Sequence, residues 1–353
     1  MSLTIKKSTK LKEKYKNLSE LGFGKIFTDY MFIMDYDKEN GWHDERIVPY
    51  EKICLDPSAL VFHYSQTVFE GMKAYKNNGK VYLFRPEENF KRLNKSNERI
   101  CIPKIDEEKA LKYLKEFVNL ERDWIPEQEG CSLYIRPFII ATDEELGVKV
   151  SEKYKFIMIA SPSGSYYKDG LKPVNIYVEK DYVRAVRGGM GMAKTGGNYA
   201  CSMKSQDIAH ERGYSQVLWL DGVDRKYIEE VGAMNIFFVL KDKVITPAIN
   251  GSILEGITRK SVIELLKKEG VNVSEEKISI DDIVDYYKNG ELVEIFGTGT
   301  AAVISPVGKL LYDGYEMTVN NGEIGELSLH IYNTLTQLQT GKIKDDFNWR
   351  VEI

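Results

Sequence analysis

Lys194 stands in the stretch Arg187-Gly-Gly-Met-Gly-Met-Ala-Lys-Thr-Gly-Gly-Asn-Tyr199, among small and apolar neighbours. Such surroundings can strip water from an ammonium, lower its pKa and leave an amine able to attack a carbonyl as a Schiff-base nucleophile. A flexible glycine loop carrying an ordinary lysine is the plainer alternative. Glu229-Glu230-Val-Gly-Ala-Met-Asn235 presents a second oddity, a carboxylate at the end of a strand that leads into the apolar run Ile236–Leu240. A half-buried Glu there needs a partner, either a protonated ring nitrogen or an Arg or Lys side chain. Gly297-Thr-Gly299-Thr-Ala-Ala302 spells GxGxxA after a strand. Dinucleotide binding would require a helix to begin there, so that its N-terminal amides meet a pyrophosphate. The continuation through Pro306 reads instead as another strand, which leaves a tight turn, or a nest of threonine and backbone N–H groups for an anion.

Other chemistries find little support. His43, His63, His210 and His330 fit no HExxH pattern, and no GxSxG elbow is present. Cys54, Cys101, Cys131 and Cys201 are scattered without a CxxC pair, which suggests neither a metal site nor a disulfide framework and suits a reducing cytoplasm. With 49 Lys+Arg against 53 Asp+Glu the net charge is −4, which argues against a nucleic-acid binder. No apolar stretch approaches the roughly 20 residues of a membrane span, and the Lys-rich opening runs into no signal-peptide core. The 353 residues suffice for about two domains. A soluble cytoplasmic enzyme is expected.

The elements that must position these residues follow from periodicity. Val81–Pro86 reads as a strand and Glu87 to about Ile100 as a helix carrying Arg92. Asp106 is placed to cap a second helix that Pro126 stops. Residues 131–141 and 154–162 read as strands. Ser161 to Pro173 is dense in Gly, Pro, Ser and Lys and reads as an interdomain connection. Beyond it, residues 175–185 read as a strand and 198–212 as a helix closed by Gly213. Short strands follow at 215–220, 227–232, 234–240 and 243–247, in an antiparallel arrangement. A helix runs from near Gly256 to Gly270, residues 291–296 form a strand, and a last helix carries Ile324, Leu327, Ile331, Leu335 and Leu338 up to Gly341.

The blocks HYSQTVFEGMKAY, LFRPEENFKRLNKS, SLYIRPFI, MAKTGGNYA, QVLWLDG, EEVGAMNIFFV, NGSILEGITRKS and EIFGTGTAAVISPV occur in this order from about Gly22 to Trp349. Taken jointly, they resemble the branched-chain amino acid aminotransferases, pyridoxal-phosphate enzymes of fold type IV. The resemblance implies an α/β (α+β) chain: a small α/β domain over residues 1–163, a linker at 164–174, and a larger antiparallel pseudo-barrel domain over 175–353. The cofactor would lie between the domains.

Through that resemblance, Lys194 is the residue that binds the pyridoxal 5'-phosphate aldehyde and then moves the substrate proton. Glu230 is the partner of the ring nitrogen and Tyr199 that of the phenolic oxygen. Arg92 would make a charge-assisted, two-pronged contact to the phosphate, with Ile257 and Thr258 at a helix start and Thr300 in the GTGTA turn. Thr300 and Ala301 are implied contacts of the substrate α-carboxylate. Phe23, Tyr64, Phe69, Tyr134, Tyr166 and Ala233 match the aromatic and small positions of the pocket, with Arg136 as partner for the glutamate arm. Tyr134 and Arg136 are two apart on a strand and so share a face. Val148 matches a residue that in relatives reaches the partner subunit, which implies a homodimer. No metal is implied.

The implied reaction transfers the amino group of leucine, isoleucine or valine to 2-oxoglutarate by a ping-pong route. D-amino acid aminotransferases and aminodeoxychorismate lyases share the lysine and the acidic residue, but EGMKAY and SLYIRP favour the branched-chain group. A non-enzymatic phosphate or nucleotide binder built on the GTGTA turn is the reading from another class. Two departures stand out. Some relatives carry Thr where Ala233 stands, which changes pocket polarity. Mammalian relatives carry a CxxC pair where this chain has Ala302 and Ser305, so thiol regulation there is not available.

Overall fold

The computed structural model describes residues 3–18, 21–165 and 170–353; Tyr166 lies outside the described residues. The chain divides into two compact units. The first comprises Met1–Lys168 with two later segments, Ala193–Gly196 and Gln337–Ile353; the second comprises Asp169–Met192 and Gly197–Thr336. Lys194 therefore belongs to the first unit, away in sequence from most of it.

The first unit is built on a sheet whose neighbours run Thr4–Ile5, Gly41–Pro49, Tyr30–Asp37, Tyr154–Ser163, Ser132–Ala141, Met72–Asn77, Lys80–Phe84 and Arg350–Glu352, with Thr67–Phe69 paired to Ser132–Ala141. The longest ladder joins Ser132–Ala141 to Tyr154–Ser163, in register from Ser132↔Ser163 to Ala141↔Tyr154. Two helices accompany it. Pro86–Arg99 begins on Pro86, whose fixed φ suits a first helical turn. Glu107–Leu120 is capped as expected by Asp106, whose carboxylate accepts the Lys109 N–H at 3.1 Å. Phe90, Leu93, Leu114, Phe117 and Trp124 join Phe32, Leu133 and Phe156 in one buried cluster. Inside it the Trp124 indole donates to Asp29 at 2.7 Å. Beside that contact, burial lifts the Glu121 carboxyl to about 7, although it accepts the Tyr30 N–H at 2.6 Å.

The second unit holds the sheet Ile228–Val231, Gln216–Leu220, Val174–Val178, Val303–Tyr312, Leu292–Gly299, Asn235–Leu240, Val244–Pro247 and Val273–Glu276, with Tyr315–Thr318 on Val303–Tyr312. A bridge between Val231 and Met234 brings the edge strand Ile228–Val231 back toward Asn235–Leu240 and curls the sheet. The hairpins are antiparallel as expected. Val174–Val178, however, runs parallel to both of its neighbours, and Val244–Pro247 is parallel to Val273–Glu276. Parallel neighbours need a crossover. Helices Gly196–Ala200 and Met203–Glu211 lie in one such connection and Ile257–Lys268 in another. Phe237 and Phe296, paired in register, stack at 5.1 Å in the interior.

Four local details depart from periodicity. The strand expected over 175–185 ends at Val178, because the Glu179 carboxylate accepts the N–H groups of Asp181 and Tyr182 and folds the chain into a turn. The helix expected over 198–212 is two pieces, and the Ser202 hydroxyl donates to the Tyr199 carbonyl at the break. The last helix starts at Glu326, after Ile324, where Glu294 accepts the N–H groups of Leu327 and Ser328. An unforeseen helix, Ile280–Lys288, opens on a capping box of Ser279 and Asp282, a pattern its sequence does display. No helix among the described residues is long and apolar enough to cross a membrane.

Candidate active site

Lys194 is drawn into the first unit by backbone. Its carbonyl accepts the Phe69 N–H at 3.0 Å, Thr195 bridges Val68, and its own N–H donates to the Ser96 hydroxyl at 2.9 Å. The strand Thr67–Phe69 and the helix Pro86–Arg99 thus hold the lysine from two sides. Its ammonium lies 4.7 Å from the Phe69 ring centroid. Burial, then the charge of Arg92, lowers the amine to about 8, with Glu70 and Tyr134 pulling the other way and Arg136 adding to the fall. An amine at about 8 is available as a nucleophile near neutral pH in a way that an ordinary lysine is not.

Arg92 does not present an open fork. Its Nε and Nη2 donate to the two oxygens of Glu70 at 2.7 and 2.8 Å, so the two-pronged edge expected to face a phosphate is turned to a carboxylate. Asn89 Nδ2 adds a hydrogen bond to Glu70 Oε2 at 2.8 Å. Burial alone would raise the Glu70 carboxyl. The charge and hydrogen bonds of Arg92, with Lys194 and Asn89, hold it below the ordinary carboxylate value.

Next to this lies an aromatic and guanidinium wall. Arg136 and Tyr134 share a face of Ser132–Ala141, as their spacing predicts, and Arg136 Nη2 donates to the Tyr134 hydroxyl at 2.8 Å. The guanidinium lies 4.6 Å from the Phe69 ring centroid, and Phe23 meets Tyr134 edge-on at 4.8 Å. Arg136 Nε is buried with no hydrogen-bond partner among the described residues. Gly71 makes the wall possible, since a Cβ there would fall 2.1 Å from the Tyr134 hydroxyl oxygen. Tyr64 and Val148 do not join this cluster: the Tyr64 hydroxyl donates to the Leu146 carbonyl, and Val148 is 82% exposed.

In the second unit Glu230 is 4% exposed on the strand Ile228–Val231. Of the two partners left open for it, the chain itself supplies an arginine: Arg184 forms a buried ion pair with Glu230 Oε2, and Asn235 lies at 3.4 Å from Oε1. Arg184 also donates to the Ser252 carbonyl at 2.8 Å. Ala233 is exposed in the turn that follows Glu230. Ile257 and Thr258 open the helix Ile257–Lys268 behind Gly256, with no side-chain cap, so the positive end of that helix is left to another acceptor. Gly256 is required by its neighbour, because a Cβ would meet Asn235 Oδ1 at 2.0 Å. Thr300 and Ala301 sit half-buried in the turn between Leu292–Gly299 and Val303–Tyr312, whose ladder closes at Gly299↔Val303. No helix begins there, so the dinucleotide spelling is a hairpin turn. Tyr199 lies half-buried in Gly196–Ala200.

The family pattern for class IV aminotransferases matches residues 67–310. The chain belongs to the class IV aminotransferases. Among its relatives, the Bacillus subtilis branched-chain-amino-acid aminotransferase 2 is 57% identical over 346 residues, 98% of this chain and 95% of that protein. The Escherichia coli branched-chain amino acid aminotransferase structure superimposes with a TM-score of 0.76 at 28% identity, covering 91% of this chain and 98% of that one. The T.th. branched-chain amino acid aminotransferase, complexed with N-(5'-phosphopyridoxyl)-L-glutamate, gives a TM-score of 0.74 at 26% identity, covering 91% and 97%.

Within this class IV aminotransferase, sequence reasoning passed over Glu70, Asn89, Ser96 and Arg184. A signal for the first three existed. Glu70 is a charge next to the apolar pair Val68-Phe69, and Asn89, Arg92 and Ser96 fall at helical steps on one face. Arg184, between Val183 and Ala185, offered only the oddity of a cation among apolar residues.

Proposed function

We propose that this chain is a pyridoxal 5'-phosphate-dependent branched-chain amino acid aminotransferase, which moves the amino group of L-leucine, L-isoleucine or L-valine to 2-oxoglutarate and back. The convergence of Arg92, Glu70, Tyr134, Arg136 and Phe69 on a lysine whose amine is lowered to about 8 carries the reading. The full-length relatives named for this reaction support it, as does the phosphopyridoxyl-glutamate complex of a structural neighbour. When bound, the cofactor supplies an electrophilic aldehyde and a ring that accepts electrons from the reacting carbon.

The residues fit such a group. Lys194 provides the amine that holds the cofactor, and once released it takes up the proton at the substrate Cα. Glu230 is the anion for a protonated ring nitrogen, and Arg184 pairs with its Oε2. Tyr199 serves the phenolic oxygen. Arg92, Ile257, Thr258 and Thr300 serve the phosphate. The uncapped start of Ile257–Lys268 suits a dianion.

Thr300 and Ala301 serve the α-carboxylate. Phe23, Phe69 and Tyr134 serve as the apolar side, to which the family resemblance alone adds Tyr64, Tyr166 and Ala233, while Arg136, with its unpartnered Nε, receives the glutamate carboxylate. The exposed Val148 suits contact with a second copy in a homodimer. The enzyme works in the cytoplasm.

The test is a substrate panel on purified, cofactor-loaded protein. Its visible absorbance should change with L-leucine and recover with 2-oxoglutarate, and Lys194→Ala should abolish turnover. Faster reaction with D-amino acids, or turnover by the Lys194→Ala variant, would overturn the assignment.

A further inference from the structure

Glu70 has no assigned role in the reaction, yet it is the most completely enclosed charge beside Lys194, with 0% exposure. Its position is set by three independent restraints. The backbone N–H of Glu70 donates to the Pro137 carbonyl at 2.7 Å, which pins the residue to the strand carrying Arg136. Its Oε1 accepts from Arg92 Nε, and its Oε2 accepts from Arg92 Nη2, Asn89 Nδ2 and the Gly71 N–H. The helix Pro86–Arg99 delivers the other half. Asn89, Arg92 and Ser96 occupy one face at steps of three and four, so the residues that grip Glu70 and the hydroxyl that accepts the Lys194 N–H move as one rigid element.

We propose that Glu70 is a positioning residue for the reacting lysine: its carboxylate fixes Arg92 by the Nε–Nη2 edge and cancels, at Lys194, the positive charge that Arg92 brings into the same enclosed space. The inference rests on the proposed function, because it assigns Glu70 a part in preparing Lys194 for the cofactor. Charged and titratable side chains of the first unit act on the lysine amine in both directions. Arg92 and Arg136 disfavour its protonated form, and Glu70 and Tyr134 favour it. Removing the Glu70 carboxylate takes away a charge that opposes Arg92 and Arg136 at the lysine amine. A carboxylate within contact distance of a cation also explains why Arg92 tolerates burial at 8% exposure.

The experiment is a pH titration of the visible absorbance of the cofactor-loaded protein, a readout of the protonation state at the Lys194 nitrogen that does not depend on turnover. Glu70→Gln should move the midpoint down by about one unit, and Arg92→Met, read at saturating cofactor, should move it up. The double variant Glu70→Met/Arg92→Met, which replaces the pair by apolar groups of similar size, should return the midpoint to within a few tenths of the wild-type value. A purely structural ion pair would lower the melting temperature of the single variants without moving the midpoint, and that result overturns the proposal. So does a double variant displaced as far as Glu70→Gln. If Glu70→Gln does not fold, the upward shift in Arg92→Met and its reversal in the double variant still decide the matter. Failure of the wild-type protein to develop any visible band with pyridoxal 5'-phosphate would instead count against the proposed function.

Discussion

The Arg184 guanidinium and the Glu230 carboxylate face each other as an ion pair in which both side chains are less than a tenth exposed. A buried pair of this kind adds little net stability, but losing one partner strands the other. Its consequence is that the chain itself supplies Glu230 with a cationic partner.

Arg184→Met should therefore destabilise the protein by about 3–5 kcal/mol, measured by denaturant unfolding. Glu230→Gln strands Arg184 in the same way and should destabilise by a similar amount, and should in addition lower kcat by roughly a hundredfold or more, in line with the loss of one preorganised charge at a reacting centre. If Glu230→Gln retained wild-type kcat, the glutamate would have no part in holding the ring nitrogen protonated.

The pH behaviour of Lys194 has a definite sign. Burial and Arg92 bring its pKa from 10.5 in the open chain to about 8 in the fold, so between those values the folded state binds fewer protons than the unfolded state. Stability then rises as pH climbs from about 8 to 10.5, and below 8 the cost of enclosing an ammonium is fully present. Lys194→Met should stabilise the cofactor-free protein at about pH 7 by up to about 3 kcal/mol, and the gain should shrink toward pH 10.5. Reconstitution with pyridoxal 5'-phosphate should accelerate as pH passes through about 8. A reconstitution midpoint near 10.5 would show that the lysine is not perturbed.

Arg136, proposed to receive the glutamate carboxylate, should separate the two half-reactions. A guanidinium that already contacts the Tyr134 hydroxyl and keeps Nε without a partner is suited to a second carboxylate and of no use to an aliphatic side chain. Arg136→Met should raise the KM for 2-oxoglutarate by about ten- to a hundredfold, the worth of one charged hydrogen bond, while the leucine half-reaction changes far less. Single-turnover absorbance with each substrate measures both. Equal losses in the two would place Arg136 elsewhere in the mechanism.

Much of this was readable in the primary structure because the relevant physics is local. Asp106 capping its helix, the shared face of Tyr134 and Arg136, and the strand after Gly297-Thr-Gly299 that argues against a dinucleotide fold all depend on residues a few positions apart. The departures arose where a distant or unexpected acceptor intervened. Glu294 sets the start of the helix at Glu326, and the Glu179 carboxylate ends a strand that β-propensity alone would have prolonged. The parallel ladders of Val174–Val178 could not be read from turn chemistry, since a crossover pairs strands that no turn connects.

The sequence by itself determined the family and singled out Lys194 and Glu230 as candidates, because each is written in residue type and order. Only the tertiary structure decided what those groups meet. It set Glu70 against Arg92 across 22 positions and Arg184 against Glu230 across 46, and it gave Lys194 to the first unit through the backbone of Phe69 and the hydroxyl of Ser96. A pairing of charges depends on distance and enclosure in three dimensions, and these are properties of the packed chain that no local spacing encodes.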